Sequence, residues 1–349
     1  MKAKLFLYFG AVVLGLALSA SPAAAQVEWN TVHNYDQGVQ QAIAMHPSGM
    51  VLEFHRSDGG TPLWYKVGWL QGTTVNWGPS QPAPANGYWP NVAITGDGHV
   101  LFVWSTGESK QNSTLYYMVG KIDAPGGNRQ SIQWLTNGQA FDAGHNSSVA
   151  MNENGVIVEV HESATGGWGL FYRVGHFANL AGGDYNITWD SGPSGQHYDN
   201  GVNPHIAINN NNEVVEVHQV PGEDLLHYRR GVVLSGGIID FRESKRYHDY
   251  AYQPSVALLD NGQVLEMHGQ DKDKGVYALP GTLNATNPEL IDFTWVARPD
   301  NRAAKHPVVA TDGTRLGPRI AVGAWSIPDA PVDKGILNYA VGLIQEPAQ

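Results

Sequence analysis

The chain contains no cysteine. That absence excludes disulfide staples, thiol nucleophiles and cysteine-ligated zinc. No staple is needed, because a chain of 349 residues can bury a large core. Charged residues are scarce at 15%, and basic ones scarcer still: 21 Lys and Arg stand against 32 Asp and Glu. Loss of Lys2 and Lys4 with an N-terminal leader would move the formal charge from −11 to −13. A balance of that sign argues against nucleic acid or an anionic membrane as partner. Long apolar runs are also missing, with one exception at the start. Met1-Lys2-Ala3-Lys4, an apolar stretch from Leu5 to Leu18 and then Ala23-Ala24-Ala25 make the pattern of an export signal. The stretch is shorter than a bilayer span, and no later run is apolar for long enough to cross one. The expectation is a leader over residues 1–25 and one domain over residues 26–349, secreted or periplasmic, with no membrane insertion.

What the chain does have is a unit that occurs six times. The copies read QAIAMHPSGMVLEFH, PNVAITGDGHVLFVW, SSVAMNENGVIVEVH, PHIAINNNNEVVEVH, PSVALLDNGQVLEMH and PVVATDGTRLGPRIAVGAW. Their anchoring alanines are Ala44, Ala93, Ala150, Ala207, Ala257 and Ala310, about 50 to 57 residues apart, a period that signals a solenoid, propeller or array. Each copy is a strand, an Asn/Asp-Gly type turn and a second strand. A third strand follows, as in Leu63 to Gly68 and Leu170 to Gly175, then a short fourth such as Val75-Asn76-Trp77 or Ile187-Thr188-Trp189. The predicted fold is all-β, a six-bladed propeller of four-stranded blades. The sixth copy ends near Gly342 without a fourth strand, and Val27-Glu28-Trp29 stands alone at the other end of the domain. That fragment is expected to complete the last blade and close the ring. The aromatic stripes then read first as packing between blades.

Polar residues interrupt the second strand in a regular way. Nine and eleven residues after the anchor stand Glu53 and His55, Glu159 and His161, Glu216 and His218, Glu266 and His268. A spacing of two places each pair on one face of a strand. Eight residues before the anchor stand Asp36, Asp142, Asp199 and Asp249, three of them in a Tyr/Phe-Asp-x-Gly motif. The three residue types travel together. Repeats two and six lack all of them and carry Ala85, Phe102 and Trp104, and Arg302, Gly323 and Trp325. Residues that come and go as a set are expected to touch. Three readings follow: a structural Asp-His-Glu network that satisfies buried polar groups; four equivalent ligand sites suited to sugar hydroxyls; or divalent-metal sites, which four identical copies without a His-x-His or His-x₃-His pair disfavour.

Fourfold symmetry counts against an enzyme, since a catalytic site is usually unique. No G-x-S-x-G, Walker loop or dinucleotide fingerprint is present, so no cofactor is expected. Two unrepeated features remain as candidates: the axis, where residues from several blades converge, and the Arg242–Tyr252 segment, RESKRYHDYAY, whose Tyr, His and Arg suit proton abstraction beside a uronate. At the level of architecture, residues 27 to 343 resemble the secreted six-bladed propellers, among them fucose-binding lectins. The lectins' Arg-Glu-Trp pocket and the sialidases' Ser-x-Asp-x-Gly-x-Thr-Trp box are absent. The resemblance implies a non-catalytic glycan-binding propeller. The alternatives are a polysaccharide lyase or glycoside hydrolase with one site near the axis, or a protein-binding scaffold.

Overall fold

The computed structural model describes residues 26–122, 131–179, 182–243, 245–270, 275–294, 296–312, 319–329 and 334–345; the expected leader, residues 1–25, lies outside them. Every regular element described is a β-strand. Among the described residues no helix is long and apolar enough to cross a membrane. Each repeat contributes an inner strand ending at its anchor alanine, among them Val39–Met45, Tyr88–Ile94 and Val202–Ile208. It pairs antiparallel with the second strand, which pairs with the third. Ala42, Ile43, Val51 and Leu52 are buried on both faces, which suits near-continuous apolar strands between packed sheets. The core lies between adjacent sheets, in clusters that join one repeat to the next.

Hydrogen bonding gives four sheets of five strands and one of nine, not six sheets of four. Two things cause the difference. The segment before each inner strand, predicted to be a loop, is itself a short strand: His33–Gln37, Gln81–Asn86 and Gln196–Asn200 pair with the third strand of the repeat before. These segments are polar and too short to show alternation. In Gln139–Met151 this piece and the inner strand run on without a break, so repeats two and three merge into one sheet.

Two contacts recur around the molecule. At the end of each third strand a glycine faces the aromatic residue of a fourth: Gly68 and Trp77, Gly120 and Trp134, Gly175 and Trp189, Gly231 and Phe241, Gly281 and Phe293. The sixth such pair is Gly342 and Trp29, because Gln26–Trp29 pairs with the third strand of repeat six. Glycine is required there: a Cβ on Gly68 would lie 2.7 Å from the Trp77 ring. The second contact is a tyrosine hydroxyl on the third strand that accepts the amide of the next repeat's fourth strand. Tyr65 meets Ile132, Tyr117 meets Ile187, Tyr172 meets Ile239 and Tyr228 meets Ile291, at 3.2–3.3 Å. Tyr339 of repeat six reaches Val75 of repeat one at 3.1 Å.

Candidate functional site

The Asp/Glu/His residues do come together, but inside the sheets. Glu53, Glu159, Glu216 and Glu266 are 0% exposed, and the four histidines at most 2%. Each histidine Nδ1 lies 2.8–3.0 Å from its own glutamate, a bond that fixes the ring tautomer. Asp36 accepts from Lys66 at 3.0 Å, and Asp142 and Asp199 lie 3.5 Å from Arg173 and Arg229. Asp199 Oδ2 is 4.0 Å from the far nitrogen of His218. The Asp249 side chain lies outside the described residues, as do those of the Lys245–Tyr250 strand, so the Arg246, Tyr247 and His248 candidates have no described placement.

A fourth member of the set went unnoticed in the sequence. Lys66, Arg173 and Arg229 sit opposite Glu53, Glu159 and Glu216 in the strand register. The signal was a basic residue repeated three places after the leucine of the third strand. Repeat five has Leu279 there. The motif aromatics also belong to the junction. Tyr35 stacks on Trp77, Phe141 on Trp189 and Tyr198 on Phe241, with centroids 4.9–5.2 Å apart. Since each motif strand pairs with the third strand of the repeat before, each described set lies where two neighbouring repeats join. In repeat two an apolar stack of Phe54, Phe102 and Trp104 takes its place. In repeat six the buried Trp325 donates to Asp300 at 2.9 Å.

Burial lowers the imidazole pKa of His55, His161 and His218, but the charge of the paired glutamate and its hydrogen bond outweigh that, so all three are raised. Burial, with the same carboxylates, pushes the Tyr35 and Tyr198 hydroxyls well above their usual range. The motif glycine makes room for the ring: a Cβ on Gly144 would fall 2.5 Å from His161 Cδ2. Gly144→Ala should therefore cost about 1–3 kcal/mol through overpacking. Equal melting temperatures for variant and parent would refute this packing account.

A different ring of residues, one from each repeat, lines one small cavity. Four residues before each anchor alanine the backbone is left-handed: Gln40, Trp89, Asn146, Asn203, Gln253 and His306 have φ of 50–55°. None is glycine, so each position is strained by about 1–3 kcal/mol and held by its surroundings. Side chains on the ring fasten it. Gln40 Oε1 accepts the Trp89 amide at 3.0 Å, Gln253 Oε1 accepts the His306 amide at 2.8 Å, and Asn146 donates to Asn203 at 3.0 Å. Beside the ring opens a groove of about 850 Å³, lined by Arg56, Asp58, Tyr88, Trp89, Lys305 and His306 among others. That volume is in the range of small-molecule sites. His145 and His306 meet the Trp89 ring edge-on at 5.4 and 5.0 Å. Burial, then Lys305 and Arg56, pushes His306 down to about 3, so it is a neutral donor and acceptor at ordinary pH. The axis was one of the sequence candidates, but the ring was illegible because six different side chains share only a backbone conformation. No metal-competent cluster of His, Asp and Glu occurs among the described residues.

No protein-family model matches the chain, and no curated protein matches it. Solved structures do. The chain is similar to the K499G mutant of NanB sialidase from Streptococcus pneumoniae, at 9% identity over 92% of this chain and 70% of that one, with a TM-score of 0.58. It is similar to a Penicillium chrysogenum α-L-arabinanase complexed with arabinobiose, at 10% identity over 91% and 98%, TM-score 0.56. A protein of unknown function from Dyadobacter fermentans aligns at 11% identity over 91% and 99%, TM-score 0.57. At these identities the likeness is one of fold: an all-β propeller.

Proposed function

We propose that this chain is an exported, non-catalytic carbohydrate-binding propeller of six blades, which takes its ligand at the axial mouth. The nine-stranded sheet is read as two blades sharing Gln139–Met151. The recurring glycine–aromatic pairs, the tyrosine tie from repeat six to repeat one and the pairing of Gln26–Trp29 support a closed ring. The Asp/Glu/His sets are read as fasteners between blades, because their glutamates and histidines offer no surface to a ligand.

The observation that carries the reading is the strained ring itself. Two carboxamides, Gln40 and Gln253, with Trp89 and the neutral His306, stand on left-handed backbone and line one groove. Carboxamides donate and accept at once, as sugar hydroxyls do, and an indole offers an apolar face for a pyranose ring. Two of the similar proteins are a sialidase and an arabinanase, which agrees with a carbohydrate ligand.

The test is a glycan array with residues 26–349, followed by titration calorimetry on the best binder. One site per chain is expected, and Trp89→Ala should weaken it at least about tenfold, roughly 1.4 kcal/mol. Four sites per chain would return the ligand to the Asp/Glu/His sets. Release of new reducing ends or unsaturated products would overturn the non-catalytic reading.

A further inference from the structure

The groove beside the ring carries charges of both signs, and they identify a class of sugar. Two cations line it. Arg56 is held rigid: its Nε donates to Gln40 at 3.1 Å, its Nη1 donates to the Gly60 carbonyl at 2.8 Å, and its guanidinium lies 5.1 Å from the Tyr88 ring centre. Its remaining arm, Nη2, reaches Glu108 at 3.3 Å, but the Glu108 side chain is 59% exposed, so this pair is solvent-screened and easily exchanged. Lys305 is exposed and lines the same groove. The uncharged His306 lines it too and is close enough to feel both charges. Asp58 is also in the lining, two residues along the chain from Arg56, and its Oδ2 is buried with no hydrogen-bond partner among the described residues. A carboxylate oxygen left without a donor is costly, so a ligand that brings one to this side chain gains by it.

We infer that the groove binds an acidic oligosaccharide, with a uronate carboxylate held between Arg56 and Lys305 and a ring hydroxyl donated to Asp58. This rests on the carbohydrate reading above and narrows it. A rigid guanidinium whose outer arm holds only an exposed partner suits a planar carboxylate, which would displace Glu108 at small cost. The lysine adds a second positive charge without fixed geometry. A sugar hydroxyl supplies the donor that Asp58 lacks. A neutral sugar would satisfy Asp58 but leave the two cations unused. A simple anion such as phosphate would use the cations but bring no donor to Asp58.

The experiment titrates the mature protein with hexagalacturonate and with the same oligomer after its carboxyls have been reduced to alcohols. The acidic oligomer should bind at least tenfold more tightly in 50 mM salt, and the advantage should shrink in 500 mM salt as the charges are screened. Lys305→Gln should remove most of the advantage by weakening the acidic oligomer far more than the reduced one, while Lys305→Arg restores it. Asp58→Ala should weaken both oligomers. Equal affinity for the two oligomers, or a Lys305→Gln variant that keeps the full preference, overturns the inference and leaves the carbohydrate reading standing. Failure of both oligomers, with a different neutral glycan selected on the array, also overturns it. Failure of every glycan on the array overturns the carbohydrate reading itself. Melting curves of each variant exclude misfolding as the cause of lost binding.

Discussion

Trp29→Ala is expected to lower stability by about 3 kcal/mol, and deletion of residues 26–30 by more. Val27 is buried, and Trp29 packs where added Cβ atoms on Gly342 and Gly323 would lie 3.1–3.2 Å from its ring. The seam it closes lacks one fastener that the other described seams have. The tyrosine that ties the third strand of each other repeat to the next fourth strand is replaced in repeat five by the buried Ala278. Strand pairing and the indole therefore carry more of that junction, beside the hydrogen bonds from Trp325 to Asp300 and from the His306 amide to Gln253. For a domain of this size, about 3 kcal/mol corresponds to a fall of roughly 4–5 °C in melting temperature. Calorimetry of the parent, Trp29→Ala and the truncated chain decides it. A truncated protein that melts with the parent would refute closure by the N-terminal strand.

Glu159→Ala is expected to cost about 3–5 kcal/mol, more than the roughly 1–3 kcal/mol of His161→Ala. The glutamate accepts from His161 and, at 2.6 Å, from Ser147, and it stands opposite Arg173. Removing it leaves the buried His161 without its carboxylate and takes one of two nearby carboxylates from Arg173, which is 2% exposed and keeps Asp142 at 3.5 Å. The network also leaves a signature in pH. The folded pKa values of His55, His161 and His218 lie above the unfolded value of about 6.5. Their stabilisation is therefore complete below about pH 6.5 and is lost as pH rises through the raised folded values. His205, pushed down to about 4 by burial, and His306, pushed down to about 3, act in the opposite sense. Their contribution is present above about pH 6.5 and is lost as pH falls toward those values. Melting temperature should thus peak near pH 6.5, and Glu159→Ala should flatten the alkaline limb but not the acid one. A variant within about 1 kcal/mol of the parent, or an unchanged alkaline limb, would show that the set is not a stabilising network.

The architecture was legible because a repeat states the same thing six times. Val-Ala steps, Asn-Gly turns and terminal aromatic residues such as Trp77 and Trp189 recur at one spacing, and pleated strands with apolar faces follow from them. The Asp/Glu/His sets were legible for the same reason, since Asp142, Glu159 and His161 appear and disappear together with their counterparts. Their depth was not. Period-two spacing places Glu159 and His161 on one face, but it does not say whether that face meets solvent or the next sheet. Arg173 was overlooked because a single basic residue in a strand reads as exposed until a carboxylate is found opposite it.

By itself the sequence determined a cysteine-free all-β repeat, the strands of each copy and the residues that vary as a set. These are properties of neighbours along the chain, where alternation and turn chemistry act over a few residues. Only the tertiary structure decided that the polar sets lie inside sheet junctions, that segments such as Gln196–Asn200 add a fifth strand, and that Gln40, Trp89, Asn146, Asn203, Gln253 and His306 form one ring. Those facts depend on which sheets lie side by side and on a backbone angle that unlike side chains adopt in common. Residues about 50 positions apart meet there, and the left-handed amides of Trp89, Asn203 and His306 are accepted by side chains of the preceding repeat. No local pattern encodes that geometry.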